Sequence, residues 1–169
     1  MKRIIAILLL AVVIISACGC STSSVFSIDN YGVSVACPSG WSDVTEGTPY
    51  DLQLTDKSSY FSIMAYKTVD LADGQAPHDV YALHNQWIKE TRDNCTTVKN
   101  EVTRKYGNNI IVETLYSAEK NSSKNYYDSY LITNSESDTF LWVLITSLPS
   151  MYESKCDTFK EIIESIVLE

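Results

Sequence analysis

Histidine is nearly absent from this chain, with only His78 and His84 among 169 residues. They stand six apart, whereas two imidazoles sharing a metal on one helical face stand four apart. No C-x-x-C pair occurs; Cys18-Gly19-Cys20 comes nearest, so a zinc knuckle lacks its ligand spacing. Six glycines leave little material for a phosphate cradle, and neither a G-x-S-x-G elbow nor a Walker-type loop is present. Positive charge is also short: 13 Lys and Arg stand against 21 Asp and Glu, a net charge of −8. Such a chain has no overall basic footprint with which to displace phosphate counterions, which excludes nucleic acid as a partner. The same balance argues against general electrostatic adhesion to anionic lipid. Nor is there an apolar run of about 20 residues, the length that spans a bilayer.

What is present begins at the N-terminus. Met1-Lys2-Arg3 is cationic, and Ile4 to Ile15 is unbroken apolar sequence. Ser16, Ala17 and Cys18 follow. This is the anatomy of a secretory signal peptide. The tetrad Ile15-Ser16-Ala17-Cys18 resembles the bacterial lipobox, in which the cysteine is lipidated and becomes the first mature residue. Residues 1–17 are therefore expected to be a lipoprotein signal peptide, Cys18 the lipid attachment site and 18–28 an anchor and tether. Two acyl chains, at about 0.8 kcal/mol per buried methylene, hold a protein stably on a membrane. A plain signal peptide cut after Ala17 and an uncleaved anchor are the competing readings, with Cys20 the rival acceptor. The expected location is the extracytoplasmic face of a bacterial cell membrane.

The rest reads as one domain, 29–169. Alternating apolar residues mark strands at Tyr31–Ala36, Tyr50–Thr55 and Tyr60–Tyr66, the last two forming a hairpin across Asp56–Ser59. Val80, Leu83, His84, Trp87, Ile88, Thr91 and Cys95 recur at helical spacing, predicting a helix from about Pro77 to Asn94. Strands follow at Thr96–Lys105, Ile110–Ala118, Tyr126–Thr133 and Thr139–Ser147. Ser150-Met151-Tyr152-Glu153 fits a capping box, opening a helix whose apolar stripe is Tyr152, Cys156, Phe159, Ile162, Ile163 and Ile166, with Lys155 outward. Strand 139–147 is apolar on both faces, so both must be covered. The expected fold is α+β: a three-layer αβα sandwich on a mostly antiparallel sheet of six or seven strands with two main helices. A two-layer α+β fold is the alternative.

This order of elements, with Pro38, Gly40 and Trp41 ending the first strand, resembles the PsbP-like αβα-sandwich family over Tyr31 to Leu168. The resemblance implies a non-enzymatic binding or assembly role, as in extrinsic subunits of a photosynthetic membrane complex and in binders of small GTPases. It carries over no site residue.

Candidate sites are few. Tyr126 and Tyr130 share one face of a strand and could form a ligand surface with a polar tip on an apolar body. Asp70 and Asp73, with Asp79, could hold a hard cation, although D-x-x-D-G departs from EF-hand spacing. His84 lies on the apolar helix face, as a packed histidine would. Cys20, Cys37, Cys95 and Cys156 admit three pairings or none. No cofactor is implied, and no nucleophile–base–orienter set is legible. The leading expectation is a lipid-anchored, non-enzymatic binding or assembly domain with an envelope protein as partner. A small-ligand or metal-ion-binding lipoprotein is the alternative, and an envelope enzyme ranks behind both.

Overall fold

The computed structural model describes residues 23–169. The expected signal segment, the lipid acceptor Cys18 and Cys20 lie outside the described residues. In chain order the elements are β1 (Ser23–Ile28), β2 (Val33–Pro38), β3 (Ser42–Asp43), β4 (Leu52–Thr55), β5 (Ser59–Lys67), α1 (Pro77–Thr91), β6 (Asp93–Tyr106), β7 (Asn109–Lys120), β8 (Ser123–Asn134), β9 (Thr139–Ser147), α2 (Pro149–Glu164) and β10 (Val167–Leu168). Seven strands form one antiparallel sheet in the order β3-β4-β5-β9-β8-β7-β6, and β1-β2-β10 form a second, smaller sheet.

Strand β9 sits mid-sheet because neither of its faces tolerates water. Leu141, Val143 and Ile145 project into a core closed by α2 (Phe159, Ile162, Ile163) and by Val33 and Val35 of the small sheet. Phe140, Trp142 and Leu144 project the other way, toward Tyr81 and Ile88 of α1. The result is the three-layer α+β sandwich that both-face burial requires.

Several local readings change. The chain expected as tether is strand from Ser23, with Ser23 opposite Pro38 and Ile28 opposite Val33. Phe26 and Ile28 of β1 pack on the core, so the fold starts five residues after Cys18. Helix α1 stops at Thr91, short of the expected Asn94, because Arg92 is already extended (φ −127°, ψ 142°) and the chain enters β6 at Asp93. Cys95 consequently lies on β6 and not on the helix. No capping box opens α2. Pro149 occupies its first turn, where a missing N–H costs nothing, and Leu148 stands at the N-cap with no side-chain bond. Along α2 it is Lys155, and not the exposed Cys156, that turns inward; its ammonium pairs with Asp56 on the β4–β5 turn. Burial raises the Asp56 carboxyl, but Lys155 and Ser58 outweigh it and leave the group below its ordinary value. The terminal Ile/Val run, expected as helix, leaves α2 at Ser165 and pairs as β10 with β2. Ser165 clamps this exit by donating to the Ala36 carbonyl and accepting from the Ala36 N–H, both at 3.0 Å. Among the described residues no disulfide forms: Cys37, Cys95 and Cys156 are not bridged to one another.

Trp142 anchors the α1 face. It is 2 % exposed, and its indole N–H donates to Ser129 Oγ at 2.9 Å. Trp142→Ala is expected to cost about 3–5 kcal/mol of unfolding free energy in a denaturant melt. The exposed Val25→Ala should stay within about 0.5 kcal/mol of the wild type. A Trp142→Ala cost below about 1 kcal/mol would contradict this packing.

Candidate functional site

Helix α1 is too short for the sheet it covers. Fifteen residues make about 22 Å of helix, whereas the twelve residues of β7 or β8 make about 40 Å of strand. The sheet therefore emerges beyond the helix. Past its C-terminal end the sheet face carries a mixed set of tyrosine, hydroxyl and leucine side chains where the covered part carries Phe140, Trp142 and Leu131. Across β5, β9 and β8, Tyr60 lies opposite Thr146 and Thr146 opposite Tyr127; one step inward, Ser62 lies opposite Leu144. These residues floor an open groove of about 600 Å³. Its walls are Tyr50 and Gln53 on one side, and Lys120, Asn121, Ser123 and Asn125 of the β7–β8 hairpin on the other. That hairpin turns on two residues, Asn121 and Ser122, both at positive φ (54° and 64°), the primed-turn geometry that keeps the strands twisted together.

Arg92 closes the groove where α1 ends. Its guanidinium lies over the rings of Trp87 (4.8 Å) and Tyr127 (5.3 Å), and Nη1 donates to the Thr91 carbonyl and hydroxyl at 3.0 and 2.8 Å. Burial raises the Tyr50 phenol above its ordinary pKa, and Arg92 partly offsets the rise. A second depression, about 450 Å³ and largely apolar, lies at the other end of α1 among Pro77, Ile110, Val112, Leu131 and Phe140.

The residues singled out in the sequence fall elsewhere. Tyr126 and Tyr130 do share a face, but it is the α2 face, and Tyr130 is buried in the core. Tyr126 packs edge-on against Tyr152. These two side chains form no open platform, because strand alternation fixes a face and says nothing about what covers it. Asp70 and Asp73 are exposed around the turn before α1. Among the described residues no group of three or more His, Cys, Asp or Glu side chains could hold a metal ion. His84 stacks on Trp142, centroids 3.9 Å apart and planes within 4°, and its Nε2 shares a 2.7 Å hydrogen bond with the Tyr66 hydroxyl. Burial brings its pKa down to about 4, so it is a neutral packing element. The groove residues were not foreseen; the available signal was a cation, Arg92, directly after a helix whose last turn carries Trp87.

Beneath α2 lies a sealed polar cluster. Asp128 is fully buried and accepts hydrogen bonds from the Tyr130 and Tyr152 hydroxyls on Oδ2, while Oδ1 has no partner. Glu113, also buried, pairs with Lys99 and Arg104 of β6. Burial, then the nearby Glu113 charge, pushes the Asp128 carboxyl up to about 7.

No family model matches the chain, and no curated protein matches it in sequence. Solved structures do. The solution structure of cyanobacterial PsbP (CyanoP) from Synechocystis superposes with a TM-score of 0.65 at 14% identity, over 90% of this chain and 96% of that one. The fold is that of PsbP. LpqN of Mycobacterium tuberculosis, described as involved in cell envelope biogenesis, shares the PsbP-like fold at a TM-score of 0.61 and 11% identity, over 89% of this chain and 87% of its own. The Ran-binding protein Mog1p of Saccharomyces cerevisiae shares it at 0.58 and 12%, over 88% and 96%.

Because the folded Asp128 carboxyl holds its proton more tightly than the unfolded one, its contribution to stability is full below about pH 4 and lost as pH rises toward about 7. His84 works the other way between about 4 and 6.5, since its folded form resists protonation. Comparison with Asp128→Asn separates the two. The variant should gain stability relative to wild type between pH 5 and 8, by a few kcal/mol at most, at about 1.4 per pKa unit. Parallel stability–pH curves for the two proteins would show that Asp128 does not titrate as described.

Proposed function

We propose that this chain is an extracytoplasmic, lipid-anchored, non-enzymatic binding domain that receives an envelope component in the groove beyond α1. The groove carries the reading. It is a preformed concavity on a rigid sheet, of the size that small ligands and partner side chains occupy. The lipobox-like Ile15-Ser16-Ala17-Cys18 supports the anchor. The shared fold of LpqN, described through envelope biogenesis, and of Mog1p, described through Ran binding, supports a binding or assembly role. Against catalysis stands the placement of the reactive groups. His84 is committed to Tyr66 and Trp142, and the two buried carboxylates lie under the opposite face, away from the groove. The groove also bears cations and no carboxylate, which favours an organic ligand or protein partner over a metal ion.

Two measurements test this. In a bacterial host the wild type should fractionate with membranes and carry the mass of a diacylglyceryl thioether, while Cys18→Ser should lack that mass and persist as an uncut precursor. A Cys18→Ser chain still cut after Ala17 and still on the membrane would contradict the anchor. A photoreactive side chain at Tyr60, on the groove rim, should give discrete cross-links on intact cells, suppressed by the groove-filling Thr146→Trp. The same probe at Lys160, on the outer face of α2, should not. Equal capture at both positions would contradict the groove as the recognition site.

A further inference from the structure

We infer that the groove recognises a phosphate ester, with Arg92 and Lys120 as its countercharges; the inference rests on the reading of the groove as the binding site. The first observation is a charge imbalance. The chain carries 21 Asp and Glu and a net charge of −8, yet this groove is lined by Arg92, Lys120, three tyrosines, Leu144 and uncharged polar residues, with no acid among them. A concave site of one sign inside a molecule of the other focuses field on its own ligand.

The second observation is the state of Arg92. Among the described residues it forms no salt bridge. Its Nε is shielded from solvent and has no hydrogen-bond partner. Nearby carboxylates are directed elsewhere: Glu119 accepts from Asn94 Nδ2 at 3.1 Å and Glu90 from Gln86 Nε2 at 2.7 Å, while Asp93 is exposed and unbridged. The two aromatic faces hold the guanidinium in place and strip part of its hydration. A fixed, partly desolvated and uncompensated guanidinium gains most from an oxyanion that accepts its forked N–H donors. Lys120, across the groove at the base of the hairpin, adds a second charge. Asn121, Asn125, Ser123, Thr146 and the tyrosine faces suit the hydroxylated organic part of an ester. The net negative charge that argues against adhesion over the whole surface leaves this local site intact.

The test uses the full chain in neutral detergent, with glycerol 3-phosphate as the soluble probe and glycerol as the uncharged control, read by calorimetric titration and thermal unfolding. The expected result is saturable binding of glycerol 3-phosphate, weakening with added salt, and none of glycerol. Arg92→Gln with Lys120→Gln should weaken it by at least about tenfold, the loss of one or more charge-assisted hydrogen bonds. Ser123→Glu, which places an anion at the rim without touching the packing of Arg92, should weaken it as well, so a folding defect in the first variant leaves the test intact. Competition by micelles containing phosphatidylglycerol would assign the ester to a lipid headgroup; binding that such micelles leave unchanged would assign it to a soluble ester. Binding of glycerol equal to that of its phosphate, binding unaffected by these substitutions, or no binding of glycerol 3-phosphate would overturn the inference. If cross-linking from Tyr60 survives such a result, only the ligand class falls; if it too is lost, the groove itself is refuted.

Discussion

Two-sided burial of one strand governs this structure. A β9 in which every residue from Phe140 to Ile145 is buried cannot stand at a sheet edge or face water on either side. It recruits β5 and β8 as neighbours, α1 above, and α2 with the β1-β2-β10 sheet below. The two covers are unequal. Below, helix and small sheet together seal the face tightly enough to enclose Asp128 and Glu113. Above, α1 works alone and runs out before the strands do. The groove follows from that deficit in length, and the hydroxyls of Tyr60, Ser62 and Thr146 in its floor suit the exposure the deficit creates.

Much of this was legible from residue periodicity. The run of apolar residues on both faces identified β9 as a central strand, and period-two geometry put Tyr126 and Tyr130 of β8 on one face, because that geometry holds whatever lies above it. Both helices declared themselves through apolar stripes. The failures have physical causes. β1 and β10 are short, and β1 begins in a serine-rich run; their pairing comes from tertiary contact with β2, which no local pattern announces. The α2 stripe was read with Cys156 inward and Lys155 outward, and an acid on a distant turn, Asp56, reversed the two. Tyr130 was assigned to the correct face but not to the interior, since a tyrosine hydroxyl satisfied by Asp128 is as comfortable in a core as at a surface. The groove escaped notice because its residues come from β4, β5, β7, β8, β9 and the end of α1, and only the fold assembles them.

The structure separates polar chemistry into two kinds of place. Under α2, Asp128 and Glu113 are closed off and bonded to neighbouring hydroxyls and cations, with Asp128 Oδ1 left unpartnered, so they tune stability and its dependence on pH. Beyond α1, Arg92 and Lys120 form no salt bridge among the described residues and line an open groove. The first arrangement suits a scaffold and the second suits recognition. An N-terminal anchor only a few residues from β1 would keep such a scaffold close to the membrane, among envelope components.

Recognition is proposed to occur where α1 leaves the sheet uncovered. The most direct measurement is an amide chemical-shift map of the isotope-labelled full chain during titration with glycerol 3-phosphate. The perturbed amides should cluster at Tyr60, Arg92, Lys120–Asn125 and Thr146. A cluster around Thr68–His78 and Ile110, at the apolar end of α1, or perturbations scattered over the surface would contradict it.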